Sequence, residues 1–230
     1  MSTQQQAPQP RGAGQPRTET VATPAGEARI TWHDARPAHT VLALGHGAGG
    51  GIDARDLRAL AAALPAHGVT VALVEQPWRV AGKKVAPAPR TLDAAWSALW
   101  PALALPGLPV IAGGRSAGAR VACRTAGALG ACAVLALSFP LHPPGRPEKS
   151  RAEELTSVEL PVLVVQGGRD PFGRPEEFPA GTAPVEVPGA DHGFALPKSA
   201  ELTEAAAMEL VTGAVTRWIT GRRAEWRSHG

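Results

Sequence analysis

Short, near-continuous apolar runs recur along the chain and alternate with segments of helical spacing. The runs are VLALG (41–45), VTVALVE (69–75), LPVIAGG (108–114), ACAVLALSFP (131–140) and LPVLVVQGG (160–168). A strand that reads this way is buried on both faces of its sheet. Between the runs, DARDLRALAAALPAHG (53–68) sets Leu57, Leu60, Ala61 and Leu64 at helical intervals. TLDAAWSALWPALA (91–104) does the same with Trp96, Leu99 and Trp100, and SAGARVACRTAGALG (116–130) reads as a small-residue helix ending at Gly130. Asp53 and Thr91 are the expected helix caps and Gly68 the expected stop. ARITWHD (28–34) is expected as an edge strand, APVEVPGADHGF (183–194) as a strand and loop, 151–155 as one helical turn and 201–220 as the last long helix. Strands alternating with helices predict an α/β fold with a mostly parallel central sheet and helices on both faces.

Bulk properties narrow the function classes. The chain has 230 residues, enough for one sizeable core. Aromatics are 4% and Tyr is absent, so Ala, Val and Leu must build that core. A net charge of +3, with no arginine-rich run or aromatic-basic motif, gives no support for nucleic acid. Cys123 and Cys132 form no C-x-x-C pair and no zinc-spaced cluster, so both are expected as reduced thiols and no metal or cofactor is expected. No apolar run reaches the roughly 18 residues of a membrane helix. The polar start MSTQQQAPQPRGAGQPRTET lacks a secretory apolar region. The expectation is a cytoplasmic protein with a disordered tail over 1–26, one domain over 27–221 and a short tail over 222–230, its partner a small molecule rather than a membrane; no motif points to a protein partner.

In such sheets ligands bind beyond the carboxyl ends of the strands. The relevant loops are HGAGGG, QPWRVAGKK, GGRSAG, SFPLHPPGR, GGRDPFG and GADHGF. Gly114-Arg115-Ser116-Ala117-Gly118 fits G-x-S-x-G between a buried strand and a helix, the setting of a nucleophile on a sharp turn. A serine hydroxyl needs a base, and the base needs an orienting acid. Asp170 and His192 follow in that order, each just past a strand end. Asp191 competes for the acid's role but neighbours His192, and adjacent side chains usually diverge. The oxyanion donors are expected to be the Ala117 and Ala48 amides. His46, Trp78, Arg115 and His142 are candidate substrate contacts, with loop buttressing, packing or solvation as their plainer roles. Arg79, Lys83, Lys84 and Arg90 read as a solvated basic loop before they read as an anion site.

Two other classes compete. Gly45, Gly47 and Gly50 match G-x-G-x-x-G, and Glu75 ends the next strand, as in a dinucleotide-dependent oxidoreductase. Its helix opens near Asp53, too late for the third glycine. A non-catalytic binding or scaffold protein of the same shape leaves the three-residue constellation without a purpose.

GHGAGG (45–50), EQPWRVAGKKVAP (75–87), GGRSAGARVA (113–122), SFPLHPPGRPEKSRAEEL (138–155), VLVVQGGRDPFG (162–173) and GADHGF (189–194) together resemble the dienelactone-hydrolase-like group of α/β-hydrolases. Within it they resemble the branch of testis-expressed protein 30 and NSL-complex subunit 3. The resemblance implies Ser116 as nucleophile, Asp170 as acid and His192 as base. Dienelactone hydrolases proper use cysteine where this chain has Ser116, so their substrate does not carry over. About twenty residues separate the strand ending at Pro140 from the one beginning near Leu160, too few for a helical cap. The expected activity is hydrolysis of a small carboxylic ester or thioester at an open, shallow site.

Overall fold

The computed structural model describes residues 15–104 and 108–227. Eight strands form one sheet in the order β1-β2-β4-β3-β5-β6-β7-β8. They are β1 (Arg17–Thr23), β2 (Gly26–His33), β3 (Thr40–Gly45), β4 (Val69–Glu75), β5 (Val110–Arg115), β6 (Ala133–Leu137), β7 (Val162–Gly167) and β8 (Val185–Val187). β1, β2 and β4 pair antiparallel in turn; every other neighbour pair is parallel. The helices are α1 (Arg55–Ala63), α2 (Pro77–Val80), α3 (Pro89–Leu103), α4 (Ala117–Thr125), α5 (Ala152–Thr156) and α6 (Glu204–Arg227).

The two-sided burial expected of the apolar runs is present. In β3, Val41 and Ala43 join one core layer with Trp96, Leu99 and Val121 of α3 and α4. Leu42 and Leu44 join the opposite layer with Leu57 and Leu60 of α1 and Val211 and Val215 of α6. Alternate residues of a strand face opposite sides, so a run without polar residues is what two covered faces require.

Several boundaries differ from expectation. The tail expected over 1–26 is too long: residues 17–23 form β1, paired along its whole length with β2. Residues 1–14 lie outside the described set. β1 is held from the side, because the Trp32 indole N–H donates to Glu19 Oε2 at 3.1 Å and the Arg17 guanidinium lies 4.6 Å over the Trp32 ring. ARITWHD is therefore second from the edge. The last helix starts later than 201 and runs through Arg227, so residues 222–227 are not tail. Helix caps also differ. α1 is capped at Ala54 and α3 at Ala88, neither through a side chain, with Pro89 pre-set for the first helical position. α1 ends at Ala63 and continues as the 3₁₀ turn Leu64–His67, which Gly68 stops in the left-handed region at φ 78°.

Residues 138–161 between β6 and β7 hold only a three-residue 3₁₀ turn and the five-residue α5. No cap helix is inserted there. Both cysteines are free, and burial pushes each thiol up to about 12.

Candidate active site

β5 ends at Arg115 and α4 begins at Ala117, so Ser116 alone makes the turn between them. It does so at φ 52° and ψ −114°, a conformation that side chains rarely adopt. The flanking glycines make the turn possible. A Cβ on Gly114 would lie 2.6 Å from the Gly45 carbonyl oxygen, and one on Gly118 would strike that same carbonyl. β3, β5 and α4 meet here with no room for a methyl group.

The Ser116 hydroxyl donates to His192 Nε2 at 2.9 Å. His192 Nδ1–H donates to Asp170 Oδ2 at 2.7 Å. Three residues from three loops, 76 and 22 positions apart, thus form one hydrogen-bonded chain. Asp170 is buried, and its two oxygens are fixed separately. Oδ1 accepts from the Phe172 amide at 2.8 Å, and Oδ2 also accepts from Gln166 Nε2 at 2.8 Å. The Phe172 ring lies against the His192 imidazole, 4.2 Å between centroids. Asp191 has a different task. Its Oδ1 accepts from the Gly193 and Ala195 amides, both at 2.8 Å, which shapes the loop that carries His192.

Ala117 is the first residue of α4, so its N–H has no carbonyl one turn behind it. The HGAGGG loop brings Ala48 beside it: Ala48, Ala117, His46, Trp78, Ala86 and Leu92 line one small recess of about 10 Å³. A much larger hollow, about 1000 Å³, opens at the other end of the strands between Trp100, Val110, Cys132 and Trp226. It holds none of the hydrogen-bonded groups described above. Chemistry rather than cavity size therefore marks the site.

A family model for the alpha/beta hydrolase domain matches residues 38–220. The chain belongs to the alpha/beta hydrolase family. Its fold is similar to that of an α/β serine hydrolase without lid from Xanthomonas campestris, at 19% identity and a TM-score of 0.69, covering 91% of this chain and 98% of that one. Dienelactone hydrolase from Anabaena variabilis is similar at 18% identity and TM-score 0.67, over 90% and 99% of the two chains. Est1E from Butyrivibrio proteoclasticus is similar at 14% and 0.68, also over 90% and 99%. No curated protein matches the chain.

Two of the substrate contacts expected from sequence, His46 and Arg115, are bonded to the protein itself. His46 is buried: its Nδ1–H donates to the Gly47 carbonyl at 2.8 Å and its Nε2 accepts the Gln76 amide at 3.1 Å. Burial pushes its pKa down, which suits the neutral ring those bonds need. It buttresses the Gly-rich loop. Trp78 is buried against His46 at 5.5 Å between ring centroids and forms a wall of the recess. Arg115 does not extend freely into the cleft. Its Nε donates to Asp56 Oδ2 at 3.1 Å and its Nη2 to the His192 carbonyl at 2.6 Å. The Asp56 carboxyl is fully buried; desolvation pushes its pKa up and the Arg115 charge opposes that. Arg79, Lys83, Lys84 and Arg90 are exposed, the solvated face that was expected.

His142, the fourth candidate, is buried rather than solvated. Its Nε2 bonds Glu177 Oε2 at 2.7 Å and its Nδ1 faces the Pro143 carbonyl at 2.9 Å. Two acceptors at two ring nitrogens call for the imidazolium. The Glu177 bond holds the His142 pKa above its ordinary 6.5 and the Glu177 pKa below its ordinary 4.5. The histidine's share of stability is complete below pH 6.5 and is lost as pH rises through the raised value. The glutamate's share is complete above pH 4.5 and is lost as pH falls through the lowered one. The melting-temperature difference between wild type and Glu177→Gln should therefore peak between those two pH values and shrink on either side. A difference that is flat with pH would show the pair to be uncharged.

The dinucleotide alternative loses its structural basis. Gly50 is five residues ahead of α1, and a Cβ on Gly49 or Gly50 would meet nothing within 4 Å. The Glu75 carboxylate is paired with Arg29 at 3.1 Å. Among the described residues, no group of three His, Cys, Asp or Glu could hold a metal ion, and no helix is long and apolar enough to cross a membrane.

Asp56, Gln166 and Phe172 were not singled out from the sequence. Two carried a signal. Asp56 lies four residues before Leu60, on the apolar stripe of α1, and Gln166 interrupts an otherwise apolar strand. Phe172 carried none.

Proposed function

We propose that this protein is a serine hydrolase of small carboxylic esters or thioesters, working through an acyl-enzyme on Ser116. The observation that carries the reading is the unbroken chain Asp170–His192–Ser116 at 2.7 and 2.9 Å. His192 takes the hydroxyl proton as Ser116 Oγ attacks the carbonyl carbon. The Ala117 and Ala48 amides receive the oxyanion, helped by the positive end of α4. His192 then gives that proton to the leaving alcohol or thiol. A water molecule repeats the sequence on the acyl-enzyme and regenerates the hydroxyl. Asp170 keeps His192 in the tautomer with a proton on Nδ1 and stabilises the imidazolium.

The recess of about 10 Å³ at the Ala48 and Ala117 amides is room for one water-sized group, the size of an oxyanion. The short β6–β7 connection inserts no cap helix, which suits a small ester whose leaving group faces solvent. The lidless serine hydrolase and Est1E, which has been seen with ferulic acid bound, lend this reading support from the fold. The SFPLHPPGRPEK run supports placing the chain in the branch of testis-expressed protein 30 and NSL-complex subunit 3.

A fluorophosphonate probe tests the proposal. Wild-type protein should be labelled and should turn over p-nitrophenyl acetate; Ser116→Ala should do neither. A wild type that is inert to both would favour a hydrolase-shaped binding protein instead.

A further inference from the structure

We propose that Arg115 and Asp56 are a positioning pair that holds the base-bearing loop in register with Ser116. The inference rests on the serine-hydrolase reading above and names two residues that act on the reaction through His192. Arg115 immediately precedes the nucleophile on β5, yet its side chain is only 12% exposed. One guanidinium reaches three parts of the site. Nε donates to Asp56 of α1, and Nη2 donates to the carbonyl of His192 itself. Nη1 lies under the oxyanion loop, where a Cβ on Gly47 would come within 3.2 Å of it.

The His192 carbonyl needs such a hold. β8 is three residues long and forms the edge of the sheet, so the loop beyond it is weakly anchored by the ladder. The His192 ring is bonded to Asp170 and Ser116 and lies against Phe172, while the loop's backbone is tied by Arg169 N–H to the Ala190 carbonyl, by the turn that Asp191 makes and by the buried Phe194 ring. Among the described residues, the Arg115 bond at 2.6 Å is the one hydrogen bond to the backbone of residue 192. It runs from the residue next to the nucleophile to the residue that is the base. Distance changes between the two are therefore resisted directly. Asp56 aims the fork, because its carboxylate is fully buried on α1 and a planar guanidinium bound at Nε has its other nitrogens directed as well.

A merely structural ion pair makes a different prediction, and three variants separate the two. Arg115→Met leaves the Asp56 carboxylate buried without its partner and should lower the melting temperature. Adding Asp56→Asn to it removes that charge and should restore most of the melting temperature. Arg115→Lys keeps a charge but has no fork to reach both partners. With p-nitrophenyl acetate, Arg115→Met and the double variant should both lose about 10²-fold in kcat, the scale of a misplacement near 1 Å, with KM within about twofold of wild type. Arg115→Lys should recover part of that kcat. Amide hydrogen exchange at Asp191, Gly193, Phe194 and Ala195 should accelerate in Arg115→Met and in the double variant. If kcat returns together with the melting temperature in the double variant, the pair is structural and the proposal is overturned. Unchanged exchange in the base loop also overturns it. A wild type inert to fluorophosphonate would sink the hydrolase reading by itself. The exchange data would still decide the clamp, acceleration upholding it and unchanged protection overturning it.

Discussion

Ser116→Ala should lower kcat for p-nitrophenyl acetate by about 10⁶-fold, the scale of losing the nucleophile of a serine triad. The fold should remain, because the hydroxyl contributes one hydrogen bond, to His192, and the turn is set by the backbone and by Gly114 and Gly118. A net stability change within about 1 kcal/mol is the scale of one such bond. His192→Ala should cost a similar factor, and the double variant scarcely more, since nucleophile and base act as one unit. On the proposed mechanism, any rate left over water should be what the Ala117 and Ala48 amides supply. Stopped-flow assays, with circular dichroism to check the fold, give the result. A kcat for Ser116→Ala within tenfold of wild type would move the chemistry away from this turn.

The second large effect concerns stability. Gly118→Ala should destabilise the protein by about 3 kcal/mol or more, above the usual range for overpacking, because the new methyl meets backbone rather than a side chain that can rotate away. The obstacle is the Gly45 carbonyl at the end of β3, in the middle of the sheet. Gly114→Ala should behave alike, with its Cβ 2.6 Å from that oxygen. Gly50→Ala is the control. Its Cβ would meet nothing within 4 Å, so its melting temperature should stay close to wild type. Denaturant titration of the three variants decides the matter. Equal losses at positions 50 and 118 would mean that the Gly-rich loop packs as tightly as the serine turn, as a dinucleotide-binding loop would.

The parts of the fold that announce themselves in the sequence are those whose pattern has a single physical reading. Continuous runs such as VLALG fit only strands covered on both sides, and they sit in the middle of the sheet. β1 was missed because RTETVAT has one weakly apolar face and follows a polar tail; what fixes it is Trp32 on the neighbouring strand, a partner that local pattern does not reveal. The end of α6 is hidden for a related reason, since Trp226 packs back on Trp218 from beyond the point where the periodic pattern fades. In the site, Ser116, Asp170 and His192 were legible because each follows a strand end in an order that one chemistry requires. His46 does what a histidine before a Gly-rich turn is expected to do and buttresses that loop, whereas Arg115 and His142 are legible as residues near the site but not in their roles. A long polar side chain reaches several ångströms, and only the packed chain determines whether it turns toward substrate or toward a carbonyl such as that of His192.

The placement of β8 bears on how the molecule fails under heat. The proposed nucleophile and acid follow β5 and β7, which have neighbours on both sides, whereas the proposed base follows a three-residue strand at the rim. Local opening begins where contacts are fewest. Warming should therefore withdraw the proton acceptor while the remainder of the chain is still native. Activity would fade reversibly at temperatures where the far-ultraviolet signal has not yet changed, and cooling would bring it back. The upper limit of the working range would then be fixed by one short border strand, not by the melting of the molecule.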